Sequence, residues 1–346
     1  MALLVLITGT GRSGTSTMAG TLHHLGMSLP GRLFEPDESN PKGFFESSWS
    51  VKFHKRLQAA AGIADFDGNP AAIARARDAV TDDIRAELTG WLRQWEGQEQ
   101  IVVKDPRSVW AQMLWHDAAV EVGRDIRYIS MLRHPAEVIG SRRTQYVAED
   151  SPNRTRYETF TTARWINNSI ISERETRDQV RAFVKYTDLL EDWRPVAARL
   201  RDELGLIYDT DLSGDQHHAV DDFIEPSLRR HEGDWGELSV PQRLVDLAEA
   251  VWADVVELGE HGGADEKISA DLDAQAERFG EIFSEASAIA HDATEHAKID
   301  ARRQGLADAQ ASAAAAGPLV TETGARDLLR EVGRRVALRL RAKGAR

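Results

Sequence analysis

The sequence contains no cysteine among its 346 residues. Disulfide bonds, cysteine-ligated metals and thiol nucleophiles are therefore excluded. An excess of positive charge is also lacking: the formal net charge is −13, so a nucleic-acid partner is not indicated, because such partners bind basic surfaces. No apolar run approaches the roughly 18 residues of a membrane span. The sequence predicts a protein without a transmembrane segment.

The composition is that of a globular protein, with 42% hydrophobic residues and nine tryptophans. The length allows one large domain with an appendage, or two medium domains. The first eight residues are apolar, but they lack the basic start and the small-residue cleavage site of a secretion signal. We interpret them as a buried strand and expect a cytoplasmic protein.

An apolar run at Leu3–Thr8 enters a turn of glycines and small hydroxylated residues, and a helical pattern begins near Thr15. Gly9 and Gly14 allow the backbone to turn tightly and to approach an anion. Backbone N–H groups and the positive end of the helix dipole then point at that anion. The stretch predicts an anion-binding loop; the alternative is an ordinary glycine turn between a strand and a helix.

The spacing of Gly9 and Gly14 fits the first half of the P-loop pattern, but Thr15 stands where that pattern requires lysine. Arg12 places the positive charge inside the loop instead. The loop resembles the 5′-phosphosulfate loop of sulfotransferases that use 3′-phosphoadenosine 5′-phosphosulfate (PAPS). The resemblance implies that the cofactor is bound by Gly11, Arg12, Ser13, Gly14, Thr15 and Ser16.

Residues 26–50 are rich in glycine, proline and charge, and long irregular loops of this kind are often functional. They contain Asn40–Glu46, which is similar to a segment of several bacterial sulfotransferases. Sulfuryl transfer needs a base within hydrogen-bond reach of the acceptor hydroxyl. Glu46 is the first candidate for this catalytic role, with Glu35 and His54 as alternatives, and a solvated loop carboxylate is the competing interpretation of each acid.

A β-branched run at Ile101–Val103 predicts a second buried strand that ends in Lys104, Asp105, Pro106 and Arg107. Charged residues at the carboxyl end of a parallel strand lie where open α/β sheets bind ligands. A similar run recurs in bacterial sulfotransferases. The resemblance implies that Lys104 and Arg107 face the acceptor or the sulfate and that Lys104 is a catalytic residue. Alternatively, Asp105 and Arg107 form a local pair that only shapes the turn.

A third strand, Arg127–Leu132, is followed by Arg133 and by a helix that begins near Pro135, whose missing N–H is tolerated there. Ser141 lies eight residues after Arg133 on this helix. A guanidinium and a hydroxyl can bind one phosphate from two directions. In sulfotransferases, a strand arginine and a helix serine of this kind hold the 3′-phosphate of the cofactor.

A basic turn at Arg229 and Arg230 ends the region of resemblance. In the same family such a turn lies near the nucleotide, so Arg229 is a weaker candidate for cofactor binding. The alternative is a solvated basic loop.

The predicted strands alternate with helices, which favours a parallel sheet with helices on both faces. The fourth strand is Phe183–Tyr186, and a helix over Leu189–Leu204 is expected to end at Gly205. With the resemblance, the expected fold is a P-loop-like three-layer α/β sandwich. It would occupy residues 1–262, and a helical C-terminal extension would occupy residues 263–346 after a linker at Gly259–Ala264.

The extension carries a heptad-like apolar stripe from Ile268 to Ala293, interrupted by Gln275. The stripe predicts either self-association or packing on the main domain. Residues 324–346 form a basic amphipathic segment that can contact an anionic membrane surface, or that is a solvated tail.

The expected reaction is transfer of the sulfuryl group from PAPS to a hydroxyl or amine of a carbohydrate, glycolipid or small molecule, with 3′-phosphoadenosine 5′-phosphate (PAP) as product. Arg12 would stabilise the leaving phosphate, and the scheme requires no metal. Two alternatives remain: a kinase of a small metabolite, in which Ser16 would ligate Mg²⁺, and a non-catalytic domain that carries a helical assembly module.

Overall fold

The computed structural model describes residues 2–38, 40–146, 151–212, 216–225, 234–316 and 329–335. Its strands are β1 (Leu3–Thr8), β2 (Gln100–Lys104), β3 (Asp125–Leu132) and β4 (Arg181–Lys185). Its helices are α1 (Thr15–His24), α2 (Ser48–Ala61), α3 (Ala72–Asp78), α4 (Asp82–Arg93), α5 (Gln112–Glu121), α6 (Pro135–Tyr146), α7 (Arg154–Glu175), α8 (Tyr186–Glu191), α9 (Trp193–Leu204), α10 (Ala219–Phe223), α11 (Gln242–Glu260), α12 (Glu266–Ile289) and α13 (His291–Ala316). Short 3₁₀ turns span Pro106–Trp110 and Trp235–Glu237.

The four strands form one parallel sheet in the order β2-β1-β3-β4. The register pairs Val5 with Val102 on one side and with Arg127 on the other. Every residue of β1 is buried, as expected for a central parallel strand. The connections leave β1 and β3 in opposite directions, so the topological switch point lies between these two strands, at their carboxyl ends.

The side chains of β1 alternate between the two faces of the sheet. Leu4 and Leu6 pack with apolar residues of α2, α4 and α5. Leu3, Val5 and Ile7 pack with apolar residues of α1 and α9. Helices therefore cover both faces, and the predicted three-layer α/β sandwich is confirmed.

The helix predicted over Leu189–Leu204 is in fact divided into α8 and α9. The division falls at Asp192, whose side chain accepts a hydrogen bond from the backbone N–H of Arg194 and so caps α9. Gly205 ends α9 in the left-handed conformation, with φ of 69°, as predicted.

The chain divides into two compact units, residues 1–283 and residues 284–346. In the first unit, Ile268, Leu272 and Phe279 of α12 are buried in a cluster with residues of α7 and α11. Up to Phe283, the apolar stripe therefore packs on the main unit, as one of the two interpretations expected. The linker is shorter than predicted, because α11 continues to Glu260; the domain boundary after residue 262 stays a prediction.

In the second unit, the large apolar side chains of Ile289 on α12 and of Ile299 and Leu306 on α13 are exposed. Self-association of these helices stays a prediction. Of the predicted basic amphipathic segment, residues 329–335 are described; they are helical, and Leu329 and Val332 are exposed. Among the helices that are described, none combines the length and the apolar character that crossing a bilayer requires.

Candidate active site

A cleft of about 260 Å³ opens at the carboxyl ends of the strands. The walls come from the four segments that the sequence singled out, together with Thr17, Arg142 and two aromatic residues, Phe66 and Tyr186. The lining residues are Gly11, Arg12, Gly14, Thr15, Ser16, Thr17, Asn40, Pro41, Lys42, Phe44, Glu46, Phe66, Lys104, Pro106, Arg107, Arg133, Ser141, Arg142 and Tyr186. Six of these are cations and one, Glu46, is an acid, so the described wall favours an anionic ligand.

The loop predicted to bind an anion, Gly9–Ser16, which we name the phosphate loop, is held in a tight turn. Gly9 has φ of 131° and Arg12 has φ of 78°, and for a residue with a long side chain this left-handed conformation is uncommon. Ser13 stabilises the turn, because its N–H and its hydroxyl both donate to the carbonyl oxygen of Thr10, at 3.1 and 2.5 Å. The predicted loop residues all lie in this turn, and each of them except buried Ser13 lines the cleft.

Gly14 is the last residue before α1 and lies against the ring of Tyr186. Its φ is 91°, and a Cβ at this position would stand 2.2 Å from the Tyr186 ring, so only glycine fits. The guanidinium of Arg133 lies over the same ring, 5.1 Å from its centroid, and the Tyr186 hydroxyl is hydrogen-bonded to Thr17. Burial raises the pKa of Tyr186 above its ordinary value, so this hydroxyl stays neutral.

Arg133 follows β3 and connects the two predicted anion-binding segments. Its Nη1 donates to the carbonyl oxygen of Arg12 at 3.0 Å, and its Nε donates to Glu137 at 2.9 Å. Arg12 in turn donates from Nε to the hydroxyl of Ser141 at 3.3 Å. Within the described part of the chain, the Nη2 of Arg133 is buried without a hydrogen-bond partner, which is unfavourable unless a ligand supplies one.

Glu46 bridges two cations on the opposite wall. Lys104 donates from Nζ to Oε1 at 2.6 Å, and Arg107 donates from Nη2 to Oε2 at 2.9 Å. The Lys104 ammonium is buried and also donates to the Ser16 hydroxyl at 3.0 Å and to the Phe44 carbonyl oxygen at 3.1 Å. The structure therefore brings Glu46, Lys104 and Arg107 together beside the phosphate loop.

A backbone turn explains how Glu46 reaches the cleft. Phe45 has φ of 55°, a left-handed conformation that is rare for bulky residues and often marks functional sites. The Phe45 ring packs edge-on against Phe223, with 5.6 Å between centroids, while Glu46 lines the cleft. Asn40 closes the turn by donating to the carbonyl oxygen of Gly43 at 2.6 Å.

Two base candidates lie elsewhere. Glu35 is exposed and is not part of the lining. His54 is buried below the cleft: Nδ1 is 2.8 Å from Asp105, and Nε2 accepts from the indole N–H of Trp115 at 2.9 Å. The predicted cofactor residue Arg229 lies outside the described residues.

Sequence reasoning missed Tyr186 and Phe66. Tyr186 directly follows β4, so the strand-end rule that found Lys104 and Arg133 could have found it. Phe66 lies between α2 and α3 and carries the guanidinium of Arg142, 4.6 Å from its ring centroid. Nothing in its local sequence distinguishes it from a core aromatic residue.

A family model described as "Sulfotransferase family" matches residues 5–210. The chain belongs to the sulfotransferase family. The matched region contains the phosphate loop, Glu46, Lys104, Arg133 and Ser141, and it ends before Arg229. Family membership supports sulfuryl transfer as the activity in general terms.

Two solved structures are similar to this sulfotransferase. The sulfotransferase domain from the Synechococcus PCC 7002 olefin synthase has 19% identity and a TM-score of 0.39, covering 76% of this chain and 95% of its own. The sulfotransferase domain from the curacin biosynthetic pathway has 16% identity and a TM-score of 0.32, covering 82% of this chain and 98% of its own. No curated protein matches this sulfotransferase; the family assignment rests on the family model.

Proposed function

We propose that this sulfotransferase moves a sulfuryl group from PAPS to a hydroxyl or amine of a carbohydrate, glycolipid or small-molecule acceptor, leaving PAP. One observation carries the proposal: the phosphate loop and the Arg133 and Ser141 pair line the same cleft and contact one another. A ligand with an anionic group near each end of one nucleoside matches two adjoining sites of this kind.

The chemistry of the donor set fits the cofactor. The 5′-phosphosulfate would be bound by the loop and the start of α1, through Gly11, Ser13, Gly14, Thr15 and Ser16. The buried Nη2 of Arg133 has no partner among the residues described, so a phosphate oxygen would satisfy it. The hydroxyl of Ser141 would bind the same phosphate, with Arg229 as a further candidate.

PAPS supplies a sulfuryl group on a phosphate that leaves as an anion. Arg12 lies inside the loop and would stabilise this negative charge by charge-assisted hydrogen bonds. The ammonium of Lys104 lies between the phosphate loop and Glu46 and would add positive charge beside the transferring group.

Glu46 would accept the proton of the acceptor. Each carboxylate oxygen has two lone-pair sites, and Lys104 and Arg107 occupy one site on each oxygen. One lone pair per oxygen therefore remains for a hydroxyl, which is the geometric requirement of a general base. His54 lacks this capacity, since both ring nitrogens are engaged.

Isothermal titration with PAP, without and with Mg²⁺, tests cofactor use. We expect PAP to bind without Mg²⁺; binding of ATP that depends on Mg²⁺, with no binding of PAP, would instead favour the kinase alternative.

Transfer is followed as release of PAP from PAPS with 2-naphthol, octyl glucoside, tyramine or water as acceptor. Glu46→Gln should lower kcat by roughly 10²- to 10⁴-fold and leave the Kd of PAP unchanged, and full activity of this variant would refute Glu46 as the base.

A further inference from the structure

We propose that His54 and Asp105, buried beneath the cleft, are positioning residues that hold Arg107 against Glu46. The inference rests on the proposed role of Glu46 as the base. Among the described residues, the side-chain hydrogen bonds and ion pairs of His54 and Asp105 reach the cleft lining only at Arg107, so the two residues would act on the reaction through another side chain.

The hydrogen-bond partners of His54 fix its protonation. The indole N–H of Trp115 can only donate, so the Nε2 that it contacts at 2.9 Å must carry a lone pair. The ring proton is then on Nδ1, which donates to Oδ2 of Asp105 at 2.8 Å. His54 is therefore a neutral donor with one tautomer imposed on it, and it has no lone pair left to accept a proton from a substrate.

Asp105, held by His54, in turn contacts Arg107. Its Oδ1 accepts from the backbone N–H of Arg107 at 3.0 Å and forms an ion pair with Nε at 3.1 Å. The outer end of the same guanidinium donates to Glu46 at 2.9 Å. Trp115, His54, Asp105, Arg107 and Glu46 thus form a continuous chain of contacts from the core to the cleft.

Because His54 and Asp105 are buried, the loss of either contact of Asp105 would be costly. Asp105 is fully buried, and His54 is 1% exposed. Burial alone would raise the pKa of Asp105, but the hydrogen bond from His54, the positive charge of Arg107 and the hydrogen bond from the Arg107 backbone N–H outweigh that effect, so its pKa lies below its ordinary value. A buried carboxylate that loses a donor is strongly destabilised, and it would take up a proton or turn away from Arg107.

Displacement of Arg107 would also displace the carboxylate of Glu46, because the two side chains are hydrogen-bonded. Misplacement of a reacting group by about 1 Å can cost roughly 100-fold in rate. The competing interpretation is that His54 only fills space below the sheet. It predicts loss of folded protein, without a change in kcat per correctly folded site.

Two substitutions at one position separate these interpretations. His54→Phe keeps the ring volume but removes the donor to Asp105, whereas the amide of His54→Asn can place an N–H near the position of Nδ1. Thr89→Val is the matched control, because this buried hydroxyl bonds Glu121 on α5 and lies outside the contact chain. To obtain a corrected kcat, each maximal rate is divided by the concentration of PAP-binding sites found by titration, so that misfolded protein is not counted.

We expect His54→Phe to lower this corrected kcat by roughly 10- to 100-fold, with the Kd of PAP within about twofold of the wild type. His54→Asn should recover most of the loss, and Thr89→Val should change neither quantity. In an Arg107→Lys background, where the guanidinium fork is absent, His54→Phe should have little further effect. An equal loss in both backgrounds, or no recovery by His54→Asn, would overturn the proposal.

Crystal structures of the wild type, His54→Phe and His54→Asn test the same inference without activity. The Arg107 to Glu46 contact should persist in the wild type and His54→Asn and be lost in His54→Phe; persistence in all three would contradict the positioning role. If the wild type neither binds PAP nor consumes PAPS, the proposed function fails, while the structures still decide whether His54 holds Arg107.

Discussion

Arg133 donates a hydrogen bond to the carbonyl oxygen of Arg12 at 3.0 Å, so the side chain of one predicted anion-binding segment fixes the backbone of the other. Arg12 returns the contact through its own side chain to Ser141 at 3.3 Å. The two segments are 121 residues apart in the chain. Their adjacency follows from the neighbouring positions of β1 and β3 in the sheet.

Arg133→Ala should weaken PAP binding by roughly 10- to 150-fold, because it would remove the proposed charge-assisted contact to phosphate and release the Arg12 carbonyl. Ser141→Ala should weaken binding by only about fivefold, as expected for one neutral hydrogen bond. Titration calorimetry at one fixed ionic strength measures both values. Equal losses in the two variants would argue against separate roles for the guanidinium and the hydroxyl.

Tyr186 should contribute to PAP affinity mainly through its ring. Tyr186→Phe keeps the surface below Gly14 and Arg133 and loses one hydrogen bond to Thr17, so the Kd of PAP should rise by less than about tenfold. Tyr186→Ala leaves both residues without this support and should raise the Kd by more than about tenfold. Similar Kd values for the two variants would show that the ring does not support the loop.

Asp273 on α12 should stabilise the fold in a way that depends on pH. Hydrogen bonds from Arg177, and then from Arg174, lower the pKa of Asp273 from its ordinary value of 3.8 to about 2. The stabilisation is therefore complete above about pH 4 and is lost as the pH falls toward 2. Because the side chain is 42% exposed, solvent screening limits the effect to about 1 kcal/mol.

Asp273→Asn should thus lower the free energy of unfolding by about 1 kcal/mol at pH 7, and the difference from the wild type should shrink below pH 4. Urea denaturation at several pH values measures this. Asp271→Asn is the control on the same helix, because Asp271 pairs with the exposed Lys267 and should matter by less than about 0.5 kcal/mol. A difference that is constant with pH would contradict the assignment.

Shortened chains test where the first unit ends. A chain of residues 1–283 keeps Ile268, Leu272 and Phe279 in their cluster and should retain the Tm of the full chain within about 3 °C. A chain of residues 1–262 loses this apolar burial, worth roughly 1.5–3 kcal/mol for each large side chain, and should aggregate or melt more than about 10 °C lower. Equal stability of the two chains would support the boundary after residue 262.

Much of the fold and the cleft was predictable because the signals are local. The buried run before Gly9 predicted β1 at its observed bounds, and the apolar runs before Lys104 and Arg133 predicted their strands. In a parallel sheet the carboxyl ends of strands meet at one edge, so the residues that follow β1, β2 and β3 converge without further information.

Contacts between distant elements were not predictable in the same way. The sequence shows that His54 could be a base, but its burial depends on Trp115 and Asp105, which are 61 and 51 residues away. Likewise, the heptad-like stripe near Ile268 fits either a partner helix or the α7 and α11 surface, since both bury the same face. The choice depends on tertiary packing, which periodicity does not encode.

The buried ammonium of Lys104 joins three stretches of chain: the start of α1 through Ser16, the loop carbonyl of Phe44 and the carboxylate of Glu46. These three stretches are therefore held together in the absence of a ligand. Little ordering entropy should then oppose association, and a single-step association that needs no loop closure is the expected kinetic behaviour.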